Sequence, residues 1–200
     1  MSASPQDLMT AKLFFNAAFP TMQVLLDDDP KLHKKFQSFN ATVQFGAMND
    51  GELLCCHLIF QNGNLTVVQG PAEKSDISLT FSSVEKMNSL LKGGLSLPSI
   101  KGNLSLLPNV LSILMGLKIM TKPNDKLKND TEKLLKVKCS LYMITRALSQ
   151  YNKLGDPDMQ EFCRRQPDRI YQFQVEHDGQ PDYIACYLRV KAGQSKSGHG

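Results

Sequence analysis

Between Pro108 and Met120 the chain carries a helical pattern that is apolar on nearly every side, and no other segment restricts the fold as much. At the angular step of an α-helix, Val110, Leu111, Ile113, Leu114, Met115, Leu117, Ile119 and Met120 leave only the arc of Asn109, Ser112 and Gly116 polar, with Lys118 an isolated interruption. An ordinary surface helix has a far narrower apolar stripe. The segment is shorter than the roughly 20 apolar residues that a bilayer crossing takes. Its second apolar face therefore has to meet protein, lipid or a ligand, and a following helix that simply covers it satisfies the same pattern.

The elements before it supply further apolar walls. Ile77, Leu79 and Phe81 alternate with Ser78, Thr80 and Ser82, the period of a strand with one buried face. Ser82 with Glu85 reads as a capping box. The helix it opens places Val84, Met87, Leu90 and Leu91 on one side and stops at Gly93-Gly94. Ile100, Gly102, Leu104 and Leu106 alternate with Lys101, Asn103 and Ser105, which predicts another half-buried strand, and Pro108 then starts the apolar helix.

Upstream the chain reads as a meander. Val43, Phe45 and Ala47 alternate with polar or small residues up to an Asn49-Asp50-Gly51 turn, where glycine accepts positive φ. A strand from Leu53 to Phe60 follows, with Leu54, Cys56, Leu58 and Phe60 expected to face the core. Gln61-Asn62-Gly63-Asn64 turns the chain into a third strand, Leu65 to Gln69. Ser4 caps a first helix with Pro5 in its first turn and Leu8, Ala11, Phe15 and Phe19 at helical spacing; Pro20 divides it, and Asp27-Asp28-Asp29-Pro30 ends the apolar run.

In order and spacing, a helix, a three-strand meander, the Asp76-Ile77-Ser78-Leu79-Thr80-Phe81 strand, a helix ending in Lys92-Gly93-Gly94, the Ile100-Lys101-Gly102-Asn103-Leu104-Ser105-Leu106 strand and a terminal apolar helix resemble the type-two sterol carrier protein family, from about Phe14 to Met120. The resemblance implies an α+β fold, a five-stranded, mostly antiparallel sheet covered by helices that enclose an apolar tunnel. It implies binding of a fatty acyl chain, sterol or similar lipid, with Phe81, Met87, Leu90, Leu91, Leu104, Leu111, Leu114, Met115 and Ile119 placed like tunnel-lining residues. Leu95-Ser96-Leu97-Pro98 departs from the family, which commonly has a more polar stretch there, and this puts the tunnel mouth in question.

Beyond this domain, read as residues 1–121, lies a helix read as 122–154. Leu127, Leu134, Leu141 and Leu148 are spaced by seven, and Val137, Ile144 and Tyr151 complete a heptad seam. Such a seam supports a homodimer or packs on its own domain; the second is preferred, since tertiary packing supplies most helical stability, and the preceding apolar helix is its expected support. Residues 121–153 hold eight basic against three acidic side chains, a net +5 beside +4 for the whole chain. A basic helix of this kind can dock on anionic lipid or be a solvated face. No aromatic residues interleave with the lysines, so nucleic acid is not an expected partner.

The remainder, 155–200, reads as a linker, a partial second repeat and a flexible tail. Gln172-Phe173 and Asp178-Gly179 repeat Gln44-Phe45 and Asp50-Gly51 at an offset of 128, and a strand from Tyr183 to Val190 follows. A lone hairpin is marginal, so a partner sheet or chain is expected for it.

Five cysteines, two of them adjacent at Cys55 and Cys56, do not make a secreted disulfide framework. No leader, spanning stretch or peroxisomal address is read, and the expected location is the cytoplasm. Cys55 and His57 share a strand face but lack further ligands or a triad; the Asp27-Asp28-Asp29 run lacks the distributed ligands and glycine bend of a calcium loop; His33 reads as exposed and His177 as a turn residue. No phosphate loop or nucleophile elbow occurs. The expectation is a non-enzymatic lipid binder without cofactor, metal or catalytic residues. The alternatives are an interaction or dimerisation module and a subunit that presents lipid to an enzyme.

Overall fold

A computed structural model describes residues 2–176 and 183–199. The chain divides into two units, Met1–Lys118 and Ile119–Gly200.

In the first unit, Ser4 Oγ accepts from Asp7 N at 3.1 Å and starts α1, Pro5–Leu13. A π turn over Phe14–Ala18 leads into α2, Phe19–Asp28. Pro20 has no N–H to give to the preceding turn, and the widened turn sits where that bond is missing. Asp29 then caps α3, Pro30–Phe36, its Oδ1 accepting from Lys31 N at 2.9 Å and Leu32 N at 3.2 Å. The strands are β1 (Ala41–Asn49), β2 (Glu52–Gln61), β3 (Asn64–Gln69), β4 (Ile77–Phe81) and β5 (Ser99–Gly102), in the order β3-β2-β1-β4-β5. Between β4 and β5 lies α4, Val84–Leu91, and after β5 comes α5, Leu107–Gly116. All pairings are antiparallel except β1 with β4, so the expected α+β fold with a five-stranded, mostly antiparallel sheet is the one observed.

The alternation read from the sequence sets which face is buried. Val43, Phe45 and Ala47 of β1, Cys56, Leu58 and Phe60 of β2, and Ile77, Leu79 and Phe81 of β4 are all buried. The helices meet this face with Phe15, Phe19, Met22 and Leu25, and with Val84 and Met87 of α4. Phe19 stands edge-on to Phe45 at 5.3 Å, and Phe45 lies 5.5 Å from Phe81, so aromatic rings fill the centre of the unit.

In the second unit, Asn129 Oδ1 accepts from Glu132 N at 2.9 Å to cap α6, Asp130–Lys153. Asp156 Oδ1, accepting from Met159 N at 2.9 Å, caps α7, Pro157–Arg165. A three-stranded antiparallel sheet follows in the order β6 (Arg169–Glu176), β7 (Tyr183–Lys191), β8 (Gln194–His199).

This unit repeats the first half of the other. Ala41 faces Phe60 across β1 and β2, and Arg169 faces Val190 across β6 and β7; Phe45 faces Cys56, and Phe173 faces Cys186. Gln61 pairs with Asn64 and Lys191 with Gln194, so β2–β3 and β7–β8 agree residue for residue 130 positions apart. The turns agree as well: Asn62 and Gly63 have φ of 50° and 82°, Ala192 and Gly193 have 50° and 74°. Asp29-Pro30 opens the helix before the first meander and Asp156-Pro157 the helix before the second. The repeat therefore comprises a long helix, a short Asp-Pro helix and a three-strand meander. Its Asp178-Gly179 turn and His177 lie outside the described residues.

Several local expectations are corrected. Ser83, not Ser82, caps α4, with Oγ 3.4 Å from Lys86 N. Leu104 and Leu106 belong to a tight 3-10 turn after β5 ends at Gly102, because Asn103 Oδ1 bonds Ser105 N and Oγ and bends the chain out of the sheet. The Asp27–Asp29 run is a helix junction rather than an ending. The segment read as linker contains α7, and the segment read as tail contains β8. Leu127 lies outside α6, whose buried face carries Leu135, Cys139, Tyr142, Thr145, Ser149 and Asn152 and not the leucine seam; Ile144 of that seam is exposed. The support of α6 is the sheet: Ser149 Oγ donates to Ser195 O at 3.0 Å, and Asn152 Nδ2 to Gly193 O and Ser195 Oγ, each at 3.1 Å.

Candidate functional site

The residues expected to contact lipid are distributed unevenly. Phe81 and Met87 lie fully inside the core. Leu90 and Leu91, one turn further along α4, are half-buried, as is Leu114. Ile119, also half-buried, is the first residue of the second unit. Leu104, Leu111 and Met115 are exposed by 61%, 46% and 54%.

The anchoring of α5 explains that division. Val110 and Ile113 are buried, and Gly116 approaches Leu25 of α2 and Leu32 of α3 so closely that a β-carbon there would stand 2.9 Å and 3.1 Å from their methyl groups. Lys35 Nζ of α3 donates to Pro108 O at 3.1 Å and to Ser112 Oγ at 2.9 Å. One side of α5 is thus fixed against α2 and α3. Leu111 and Met115, four residues apart, and Leu104, seven before Leu111, lie on another side as an apolar stripe.

Next to it in sequence, the α4–β5 connection adds more apolar surface. α4 ends with Gly93 at φ 94°, a left-handed conformation that glycine takes without cost. Leu95 and Leu97 in the following segment are fully exposed. This is the stretch that departs from the sterol carrier pattern, and most of the exposed large apolar side chains of the first unit, Leu95, Leu97, Leu104, Leu111 and Met115, fall between residues 95 and 115.

The helical run does not stop at Gly116 but continues as a 3-10 turn over Leu117–Thr121. Together with the turn before α5 it forms an 18-residue helical run, Leu104–Thr121, with a mean hydropathy of 1.6 and 11% of it buried. This corrects the reading that the helix is too short for a bilayer: by length and composition the run is long and apolar enough to cross one, as a core helix of a soluble protein also can be.

Polar chemistry is sparse around this surface. His33 Nδ1 lies 2.8 Å from Leu26 O and His57 Nδ1 3.0 Å from Gly70 O, so both rings are tied to backbone. Burial pushes the thiols of Cys55 and Cys56 up, which makes them poor nucleophiles. Among the described residues there is no group of three metal-ligating side chains. In the basic segment, Lys122 pairs with Glu132 at 2.5 Å, Lys133 with Asp130 at 2.8 Å, and Lys136 Nζ donates to Lys122 O and Asn124 Oδ1. Part of the net charge of 121–153 is therefore engaged in holding its own loop.

Periodicity showed that α5 is apolar nearly all round but not which side stays exposed, and the exposure of Leu95 and Leu97 had only the apolar departure from the family pattern as its signal. No family model matches the chain, and no curated protein matches it. Among solved structures, the chain is similar to the sterol carrier protein domain 2 of Helicoverpa armigera, with 18% identity over 58% of this chain and 94% of that one and a TM-score of 0.41. It is also similar to TT1886 of Thermus thermophilus, described as a conserved hypothetical protein, possibly sterol carrier protein, with 14% identity over 60% of this chain and 84% of that one and a TM-score of 0.39.

Proposed function

We propose that the first unit is a non-enzymatic lipid carrier whose acyl or sterol ligand is held against the open side of α5. The observation that carries this reading is the exposed stripe of Leu104, Leu111 and Met115 beside Leu95 and Leu97. A run of large aliphatic side chains left exposed on one helix is a candidate interaction surface. An acyl chain laid on it leaves water at a gain of about 0.8 kcal/mol per buried CH₂, so a ten-carbon tail gains on the order of 8 kcal/mol before ordering costs. The order of elements that resembles the sterol carrier family supports the same reading. Leu90, Leu91 and Leu114 are half-buried and Phe81 and Met87 fully buried, so the exposed side chains make the first contact with the ligand.

The test is uptake of a fluorescent fatty acid by the full chain and by Leu111→Asp and Met115→Asp. Both positions are exposed, so the substitutions leave the core intact. Loss of uptake with an unchanged circular dichroism spectrum supports the reading, and undiminished uptake in both variants removes the stripe from it.

A second reading, an interaction module, is favoured by one feature of the second unit. The edge of β6 corresponds to the edge of β1 that carries β4, and along β6 Ile170, Phe173 and Val175 are exposed. An edge of this composition pairs readily with another strand, such as β6 of a second copy. Light scattering separates the two: a monomer that takes up lipid supports the carrier, and a stable dimer that refuses it supports the module.

A further inference from the structure

The charge of the first unit is sorted along its sequence. Residues 1–118 carry nine acidic and nine basic side chains, yet every acidic one lies in 1–85, and Lys86, Lys92, Lys101 and Lys118 follow with no carboxylate side chain among them. All four lysines are exposed. Lys86 Nζ donates to a neutral hydroxyl, Ser82 Oγ, at 3.0 Å, and Lys92 stands within electrostatic reach of Asp7.

The two most exposed large apolar side chains among the described residues fall inside this stretch. Leu95 and Leu97 are exposed by 101% and 93%, as much as leucine in an extended chain. They protrude from the surface, whereas a docked peptide needs a groove to bury its anchors. Lys92 is three residues before Leu95 and Lys101 four after Leu97, so neither lysine is further from its leucine than about 14 Å of chain. The backbone of the connection also suits a medium poor in hydrogen bonds. Lys92 N, Gly93 N and Gly94 N donate to Asn88 O, Leu90 O and Ser89 O at 2.9, 2.9 and 2.8 Å. Pro98 has no N–H, so four of the seven residues from Lys92 to Pro98 bring no free donor with them.

We propose that Leu95 and Leu97 insert into the interface of an anionic lipid bilayer, with Lys92 and Lys101 against its headgroups. The leucines leave water for acyl chains, and each lysine is drawn to the negative surface. A tip that enters only the boundary between headgroups and acyl chains, roughly 5–10 Å deep, leaves the sheet and helices in water. An uncharged bilayer lacks the attraction for the lysines, and an acidic protein surface offers the leucines no acyl layer. The contact deepens the carrier reading, on which its purpose rests, by setting the unit that holds the lipid against the membrane that supplies or receives it.

The experiment is co-sedimentation of the full chain with vesicles of phosphatidylcholine alone and of equimolar phosphatidylcholine and phosphatidylserine. The expected result is binding to the second kind about tenfold stronger than to the first, weakened by added salt. Leu95→Ser/Leu97→Ser should weaken it on the order of a hundredfold, and Lys92→Gln/Lys101→Gln about tenfold. All four positions are exposed, so both double variants keep the core. A chain that ignores both kinds of vesicle leaves the leucines to a protein partner and overturns the proposal. Equal binding to the two kinds, or binding undiminished in either double variant, overturns it as well. Uptake of a fluorescent fatty acid without vesicles, measured on the same wild-type chain, reports the carrier separately. Uptake with no vesicle binding overturns the docking alone, and vesicle binding that both variants lose, from a chain that takes up no fatty acid, supports the docking and removes the carrier.

Discussion

Phe173 takes in the second sheet the register position that Phe45 takes in the first, facing Cys186 as Phe45 faces Cys56, yet Phe45 is fully buried and Phe173 is 42% exposed. In the first unit β4 completes the sheet beside Phe45, and the Phe81 and Phe19 rings cover it. The second unit, as described, repeats only the helix and meander that precede those elements.

The pair makes an internal control for burial. Phe45→Ala should destabilise the first unit by about 3–5 kcal/mol, the usual cost of an emptied aromatic site. Phe173→Ala should cost the second unit about 1 kcal/mol or less, because much of that ring is already in water. Urea unfolding resolved by amide exchange in each sheet measures both, and equal costs would contradict the exposure of Phe173.

The polar interior of the second unit predicts a different sensitivity. Asn152→Leu removes the donor that serves Gly193 O and Ser195 Oγ and should cost about 1–3 kcal/mol, despite being a polar-to-apolar change at a buried position. Leu25→Asn, the reverse change at the repeat-related site of the first unit, places an amide among hydrocarbon and should cost at least as much. Stabilisation by Asn152→Leu would show that the hydrogen bonds contribute nothing net.

Asp7 links acid stability to the contact between α1 and α4. The Ser4 hydroxyl donates to its carboxylate at 2.6 Å and the Asn88 amide at 3.3 Å, and these bonds hold its pKa below the ordinary carboxylate value. A lowered folded-state pKa stabilises the fold above the unfolded-state pKa, and that stabilisation is lost as pH falls through the folded value. Wild type should therefore exceed Asp7→Asn in urea midpoint near neutral pH, with the gap closing in acid. A gap independent of pH would show that the charge plays no part.

Much of the first unit could be read from alternation and turn chemistry. Asp50-Gly51 and Asn62-Gly63 adopt the positive φ that their residue types favour, and Leu58 and Phe60 face the core as their period requires. Other features had weaker signals. β8, Gln-Ser-Lys-Ser-Gly-His, has no apolar alternation, and only its pairing with β7 makes it a strand. The leucines of α6 suggested a seam, but Ser149 and Asn152 find partners on the sheet that an apolar pattern cannot reveal. Asp29, read as part of the end of an apolar run, caps the next helix. For the candidate surface, the sequence showed that α5 had too much apolar area, and tertiary anchoring through Val110, Ile113 and Gly116 determined which part stays exposed.

Lipid carriage by the first unit is tested by purifying the full chain without detergent, extracting it under denaturing conditions and analysing the extract by mass spectrometry. A fatty acyl or sterol species near one per chain is expected, or, from a chain purified empty, saturable uptake of a fluorescent fatty acid. A clean extract from a folded chain that also refuses the fatty acid would contradict it.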